Sequence, residues 1–148
     1  IPLGPTSVHL VLSGIAGILL GWQVFPATLV ALALQGLLFQ FGGILVLGVN
    51  VLDIALPGFL FGLLFRSFFL ESPPWLFVGG AFLCCALSLL GGATLTALAL
   101  AFSGEAFLVT AKLIVLAHVP VALVEGFVGA GILLFLRRVR PEMLEGLV

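Results

Sequence analysis

The chain has 148 residues, 63% of them hydrophobic and 7% charged, with a formal net charge of −1 and a mean hydropathy of +1.44. Six acidic and five basic side chains cannot clothe a soluble domain of this size, where about a quarter of all residues are charged, so the lipid bilayer is the expected solvent. The charge balance also excludes a nucleic-acid surface, which needs a broad basic face.

In chain order, Gly4-Pro5-Thr6 reads as a turn, and GPTSVHLVLSG (Gly4 to Gly14) places His9 at the mouth of an apolar run. The chain starts at Ile1 with no signal-peptide pattern and is read as the C-terminal part of a longer protein. A membrane span needs roughly 20 apolar residues. The first predicted span, Val8 to Trp22, is slightly short, and Trp22 suits the membrane interface. The second runs from Pro26 to about Gln40. FGGILVLGVN, Phe41 to Asn50, is glycine-rich and is expected to form a re-entrant or loop segment. The third span, Val51 to Phe69, carries Pro57-Gly58 as a kink site, and Arg66 to Pro74 is the clearest loop. The fourth is Trp75 to Phe102. The fifth, Glu105 to Leu136, is long enough to need tilt or a bend at Pro120. The fold class is therefore all-α: one polytopic transmembrane bundle over 1–148 with about five spans and a short cytoplasmic tail at 137–148.

With that count, Arg66 and the Arg137, Arg138, Arg140 cluster share one side, expected to be cytoplasmic. His9, the glycine-rich segment and the Ser103-Gly104-Glu105 turn then fall outside. Small residues recur at four-residue spacing: Gly17 and Gly21, Ala27 and Ala31, Gly58 and Gly62, and Ala93, Ala97 and Ala101. Such faces allow close helix approach, either within one bundle or toward a partner.

The polar residues in apolar surroundings are the candidates for function. His9 is either an interfacial histidine bonded to a loop carbonyl or a metal ligand or proton carrier. His118 and Glu125 are seven apart, about two helical turns, so they share a face across Pro120. They read as a buried network fixing the bend or as the lining of an ion path. Lys112 lies the same spacing from Glu105 and is expected to pair with it. Gln35 is expected to bond across helices, and Asn50 to Asp53 closes the glycine-rich segment. Cys84 and Cys85 point about 100° apart and are expected to be packing residues. HExxH is absent, GGATLTAL from Gly91 lacks the lysine of a phosphate-binding loop, and no serine sits on an evident elbow, so no enzyme is expected.

Three stretches, PLGPTSVHLVLSGIAGILLGWQVFPATLVALALQGLLF, FGGILVLGVNVLDIALPG and AHVPVALVEGF, together resemble the CbiM/NikM family. These are substrate-binding membrane (S) components of energy-coupling-factor (ECF) transporters for cobalt and nickel. The resemblance implies a multi-pass inner-membrane protein that captures Ni(II) or Co(II) from outside as cargo, with no permanently bound cofactor. It implies partners: a transmembrane coupling protein and a pair of cytoplasmic ATPases, with or without a small accessory membrane subunit. It makes His9 a metal ligand. The other ligands in the family are the free terminal amine and the backbone amide and imidazole of a second-position histidine. Four nitrogens in a plane suit Ni(II) and accept Co(II). The resemblance carries no ligand role for His118 or Glu125, which with Gln35 and Asn50 remain structural network residues. Phe41 and Asp53 depart from residues common in the family, a histidine and an asparagine, neither of which is a ligand there. Two other readings stay open: a secondary ion or proton transporter using His118 and Glu125, and a membrane scaffold without transport activity.

Overall fold

The structure, a computed structural model, describes residues 2–3, 6–7, 10–39 and 44–145, with side-chain surroundings for 10–39 and 45–144. Two short strands, β1 (Pro2–Leu3) and β2 (Thr6–Ser7), pair antiparallel. The longer elements among the described residues are all helices: α1 (Ser13–Leu20), α2 (Val24–Phe39), α3 (Leu47–Phe69), α4 (Pro74–Phe102), α5 (Leu108–Val139) and the short α6 (Glu142–Glu145). The protein is an all-α polytopic bundle.

Four runs among the described residues are long and apolar enough to cross a membrane: Ser13–Phe39, Leu47–Phe69, Pro74–Phe102 and Glu105–Val139. The count is four rather than about five because the first two expected spans form one broken run. Its first arm, α1, has 8 residues, about 12 Å of helix, too short to cross alone. Gly21 ends it at φ 56°, ψ −131°, a backbone state that only glycine adopts without strain, and a 3-10 turn over Gly21–Gln23 leads into α2. The glycine-rich segment also differs from expectation. Ile44–Val46 form a 3-10 turn and Leu47 to Asn50 are the first turn of α3; Gln40 to Gly43 lie outside the described residues. The helix wins there because Leu47 to Val51 continue the apolar pattern of α3. Both internal prolines, Pro57 and Pro120, sit within unbroken helices.

The bundle is built on α4, which packs against α3 on one side and α5 on the other. Small residues occupy the middle. A Cβ at Gly91 would lie 2.9 Å from Pro57, and one at Gly92 2.6 Å from the Asp53 carbonyl oxygen, so α3 and α4 touch backbone to backbone. Ala93 and Ala97 are buried on the same face, whereas Ala27 and Ala31 are exposed, so the α2 pair takes no part in internal packing. Large apolar side chains such as Leu38, Phe68 and Phe127 point outward, as expected when lipid surrounds the bundle.

The end of the bundle that holds Arg66 and Arg137 is well tied. Phe65 meets Phe77 edge-on at 5.2 Å, Arg137 lies 4.4 Å over the Phe77 ring, and its Nη2 donates to the Ser72 carbonyl at 2.9 Å. Residues 137–139, expected in a tail, complete α5. In α6, Leu144 is 1% exposed and joins the core cluster with Ile15, Ile18 and Leu133. Trp22 and Trp75 are both exposed, in the α1–α2 turn and at the start of α4 respectively.

Candidate metal-uptake site

His9, the predicted metal ligand, lies outside the described residues, and so does Phe41. The chain is described again from Leu10, and its next few residues are held in a specific way. The Val11 N–H donates to Glu125 Oε2 at 3.0 Å, joining positions 114 apart. Glu125 is fully buried near the middle of α5. Leu12 follows at φ 56°, ψ 29°, the left-handed region, which costs a non-glycine residue roughly 1–2 kcal/mol. Ser13 is 3% exposed, and Gly14 lies so close to α4 that a Cβ there would sit 2.7 Å from the Cys85 Cα.

These contacts fix the direction of α1. Val11 meets Glu125 and Ile15 approaches Gly129, while a Cβ on Gly58 would lie 2.5 Å from the Ser13 oxygen and one on Gly62 2.6 Å from the Gly17 carbonyl carbon. Successive residues of α1 therefore meet successive residues of α3 and α5. It runs parallel to both, from mid-bundle toward the arginine end. Past Gly21 the chain turns back. Val24 is buried with Val51 and Ala55, and Phe25 meets the Phe59 ring at 5.9 Å. Val11 and Leu12 therefore lie on the side of α1 facing away from the arginine end.

The other polar candidates are dispersed. His118 Nδ1 is 2.7 Å from the Ile114 carbonyl oxygen of its own helix, and the ring is half-buried. Its seven-residue spacing to Glu125 does put both on α5, but their observed contacts go to different partners. Gln35 stands half-buried on α2 beside an open cleft formed with Leu34, Leu38 and Phe39, and Asn50 lies in the first turn of α3. Asp53 has a partner that sequence reasoning missed: Thr96 on α4 donates to its Oδ2 at 2.7 Å and also contacts the Gly92 carbonyl at 3.1 Å. A carboxylate amid apolar helix residues demands a donor on a neighbouring helix, and that demand was the available signal. The expected Lys112–Glu105 pair does not form; among the described residues the ion pair is Arg140–Glu142 at 3.4 Å. Glu105 sits in a 3-10 turn ahead of α5, so seven residues of spacing are not two α-helical turns.

Cys84 and Cys85 are free and buried, with Cys85 wedged between Gly14 and Gly129, which fits a packing role. Among the described residues no three His, Cys, Asp or Glu side chains converge into a metal-binding group. Gly91-Gly92 lie inside α4, so the GGATLTAL stretch is helix and not a loop that could cradle a phosphate.

Residues 1–143 match the family described as "CbiM: Cobalt uptake substrate-specific transmembrane region". A "Putative metal transport protein" of Haemophilus influenzae is 34% identical over 98% of this chain and 71% of its own length. A "Cobalt transport protein CbiM" of Sorangium cellulosum is 35% identical over 99% of this chain and 68% of its own. A "Fused nickel transport protein NikMN" of Rhodobacter capsulatus is 45% identical over a shorter part, 37% of this chain and 16% of its own length. No solved structure matches. A match across nearly the whole helical bundle places this membrane protein: the chain belongs to the CbiM/NikM family of cobalt- and nickel-uptake transmembrane components.

Proposed function

We propose that the chain is the substrate-binding membrane subunit of an ECF-type, ATP-driven uptake system for Ni(II) or Co(II), and that His9 is one of the ligands that capture the ion on the outer side. The observation that carries this is the family match across residues 1–143, which includes the GPTSVHL segment. The direction of α1 supports the side. The helix heads toward the arginine end, which the positive-inside rule makes cytoplasmic, so its first turn lies nearer the outer side than its last. The remaining ligands follow the family pattern of an amino-terminal amine with a second-position amide and imidazole. Release inward is driven by a coupling protein and paired ATPases, a division of labour that suits a chain built of membrane helices.

The test is uptake of Ni(II) and Co(II) into proteoliposomes holding the full-length polypeptide with its coupling and ATPase partners. Uptake is expected to require ATP and all partners. His9→Ala is expected to lose more affinity than the roughly 10–100-fold typical of residues that merely support a ligand. Uptake by the subunit alone, driven by a proton gradient and lost in His118→Ala, overturns the reading in favour of a secondary transporter.

A further inference from the structure

We propose that Asp53 is a proton-binding site set into the contact between α3 and α4, and that the bound proton holds the two helices together there by completing a hydrogen-bond chain from Asp53 through Thr96 to the Gly92 carbonyl. The metal cargo and its ligands take no part in this.

The first observation is a shortage of hydrogens. Thr96 Oγ1 lies 2.7 Å from Asp53 Oδ2 and 3.1 Å from the Gly92 carbonyl oxygen. A hydroxyl has one hydrogen to donate. With the carboxyl ionised, Thr96 donates to Oδ2 and the Gly92 carbonyl receives nothing from it. With a proton on Oδ2, Asp53 donates to Thr96 and Thr96 donates to Gly92, with every heavy atom in place. The backbone adds to the shortage. Pro57 stands one turn after Asp53 inside α3 and has no N–H for the Asp53 carbonyl. That oxygen meets Gly92, so closely that a Cβ there would lie 2.6 Å from it. Oxygen acceptors crowd this contact, and a proton is what they lack.

The second observation is a missing countercharge. Asp53 is 9% exposed. Its helix packs against α1, α2 and α4 and touches the 3-10 turns over Gly21–Gln23 and Ile44–Val46. None of these elements contains an Asp, Glu, Lys, Arg or His. Their titratable side chains are Cys84 and Cys85 on α4, three helical turns before Thr96, about 16–18 Å along the axis. The other charged residue of α3 is Arg66, about 20 Å further along that helix. Among the described residues no Lys, Arg or His forms an ion pair with Asp53. An ionised carboxylate without a countercharge is costly inside a membrane bundle, and a proton taken from water removes the charge.

The consequence is a helix contact that depends on pH. Release of the proton leaves a charge where α3 and α4 touch backbone to backbone, and it turns the Thr96 hydroxyl away from Gly92. The folded chain keeps this proton under conditions in which the unfolded chain has released it. The stability it contributes is therefore present while the proton is bound and is lost as pH rises through its release. Asp53→Asn is the neutral reference, because its amide donates to Thr96 and has no such proton to lose.

Asp53 is the single aspartate in the sequence, so its carboxyl can be followed directly. The chain is synthesised with aspartate carrying carbon-13 at the side-chain carboxyl, placed in nanodiscs and followed by NMR across pH. Near neutral pH, where an ordinary aspartate of pKa about 3.9 is ionised, the signal is expected at the neutral-acid position. A carboxylate signal there overturns the proposal. Thr96→Val is expected to move the neutral-acid signal and Thr96→Ser to leave it in place. An unmoved signal in Thr96→Val takes Thr96 out of the chain and overturns the proposal too. Melting temperatures of the parent and Asp53→Asn are measured over the same range. The parent is expected to lose stability relative to Asp53→Asn in the pH interval where its signal turns to carboxylate, and to keep a constant difference elsewhere. A difference that stays constant across that interval overturns the role of the proton in the contact.

Discussion

Two buried or half-buried polar side chains in this bundle look alike in the sequence and differ in what they hold. His118 bonds a carbonyl of its own helix, one turn back, and replacing it strands no donor on another helix. His118→Ala should therefore change thermal stability in detergent by under about 1 kcal/mol, the usual net worth of a single hydrogen bond. Asp53 is different, because its acceptor is met by Thr96 from α4. Thr96→Val removes the donor and leaves the carboxylate facing apolar side chains, at a cost of about 1–3 kcal/mol. Asp53→Asn keeps an oxygen for Thr96 and should cost clearly less. Equal melting temperatures for Thr96→Val and the parent would show that this bond contributes nothing. The sequence marked Asp53, His118 and Glu125 as misfits in apolar surroundings, which is why they were legible. Their partners were not. Val11 offers only a backbone N–H, 114 positions from Glu125, and Thr96 looks like any helix threonine until α3 and α4 are docked.

At the scale of elements, the four-residue glycine spacing of Gly58 and Gly62 is the contact surface for α1. Added Cβ atoms there would lie 2.5 Å and 2.6 Å from α1 backbone atoms. No side chain can yield to relieve that, so the helices must separate. Gly58→Ala and Gly62→Ala are each expected to destabilise at the upper end of the about 1–3 kcal/mol seen for overpacking. Gly79→Ala on α4 meets nothing within 4 Å and serves as the control, expected to be neutral or slightly stabilising. Melting temperatures of the three variants in one detergent provide the comparison. Helix ends were readable where turn chemistry is strong: Pro74 opens α4, and the Gly21-Trp22-Gln23 stop falls on the observed break. The start of α3 was misplaced because glycines suggested a loop where Leu47 and Val49 extend the helix. The Lys112–Glu105 pairing failed for a related reason, since periodicity cannot tell a 3-10 turn from the first turn of an α-helix.

For the whole molecule, span counting alone misplaces Val11 and Leu12. Four full crossings would put the residues before Ser13 on the same side as Arg66 and Arg137. The first run is not a full crossing: it begins at mid-depth beside Glu125, heads toward the arginines and reverses at Gly21. What the count does fix is the relation of the two well-separated turns. Glu71 follows α3 at the arginine end, and Ser103 ends α4 at the other, with a 29-residue helix between them. If the arginine end is cytoplasmic, as the positive-inside rule expects, Glu71 faces the cytoplasm and Ser103 the outside. Cysteine labelling can check this without first removing the native thiols, since Cys84 and Cys85 are 4% and 0% exposed and present little surface to a reagent. Ser103→Cys is expected to react with a membrane-impermeant maleimide in intact cells, and Glu71→Cys only after permeabilisation. The reverse pattern would invert the bundle. Reaction of both in intact cells would mean that α4 does not cross the membrane at all.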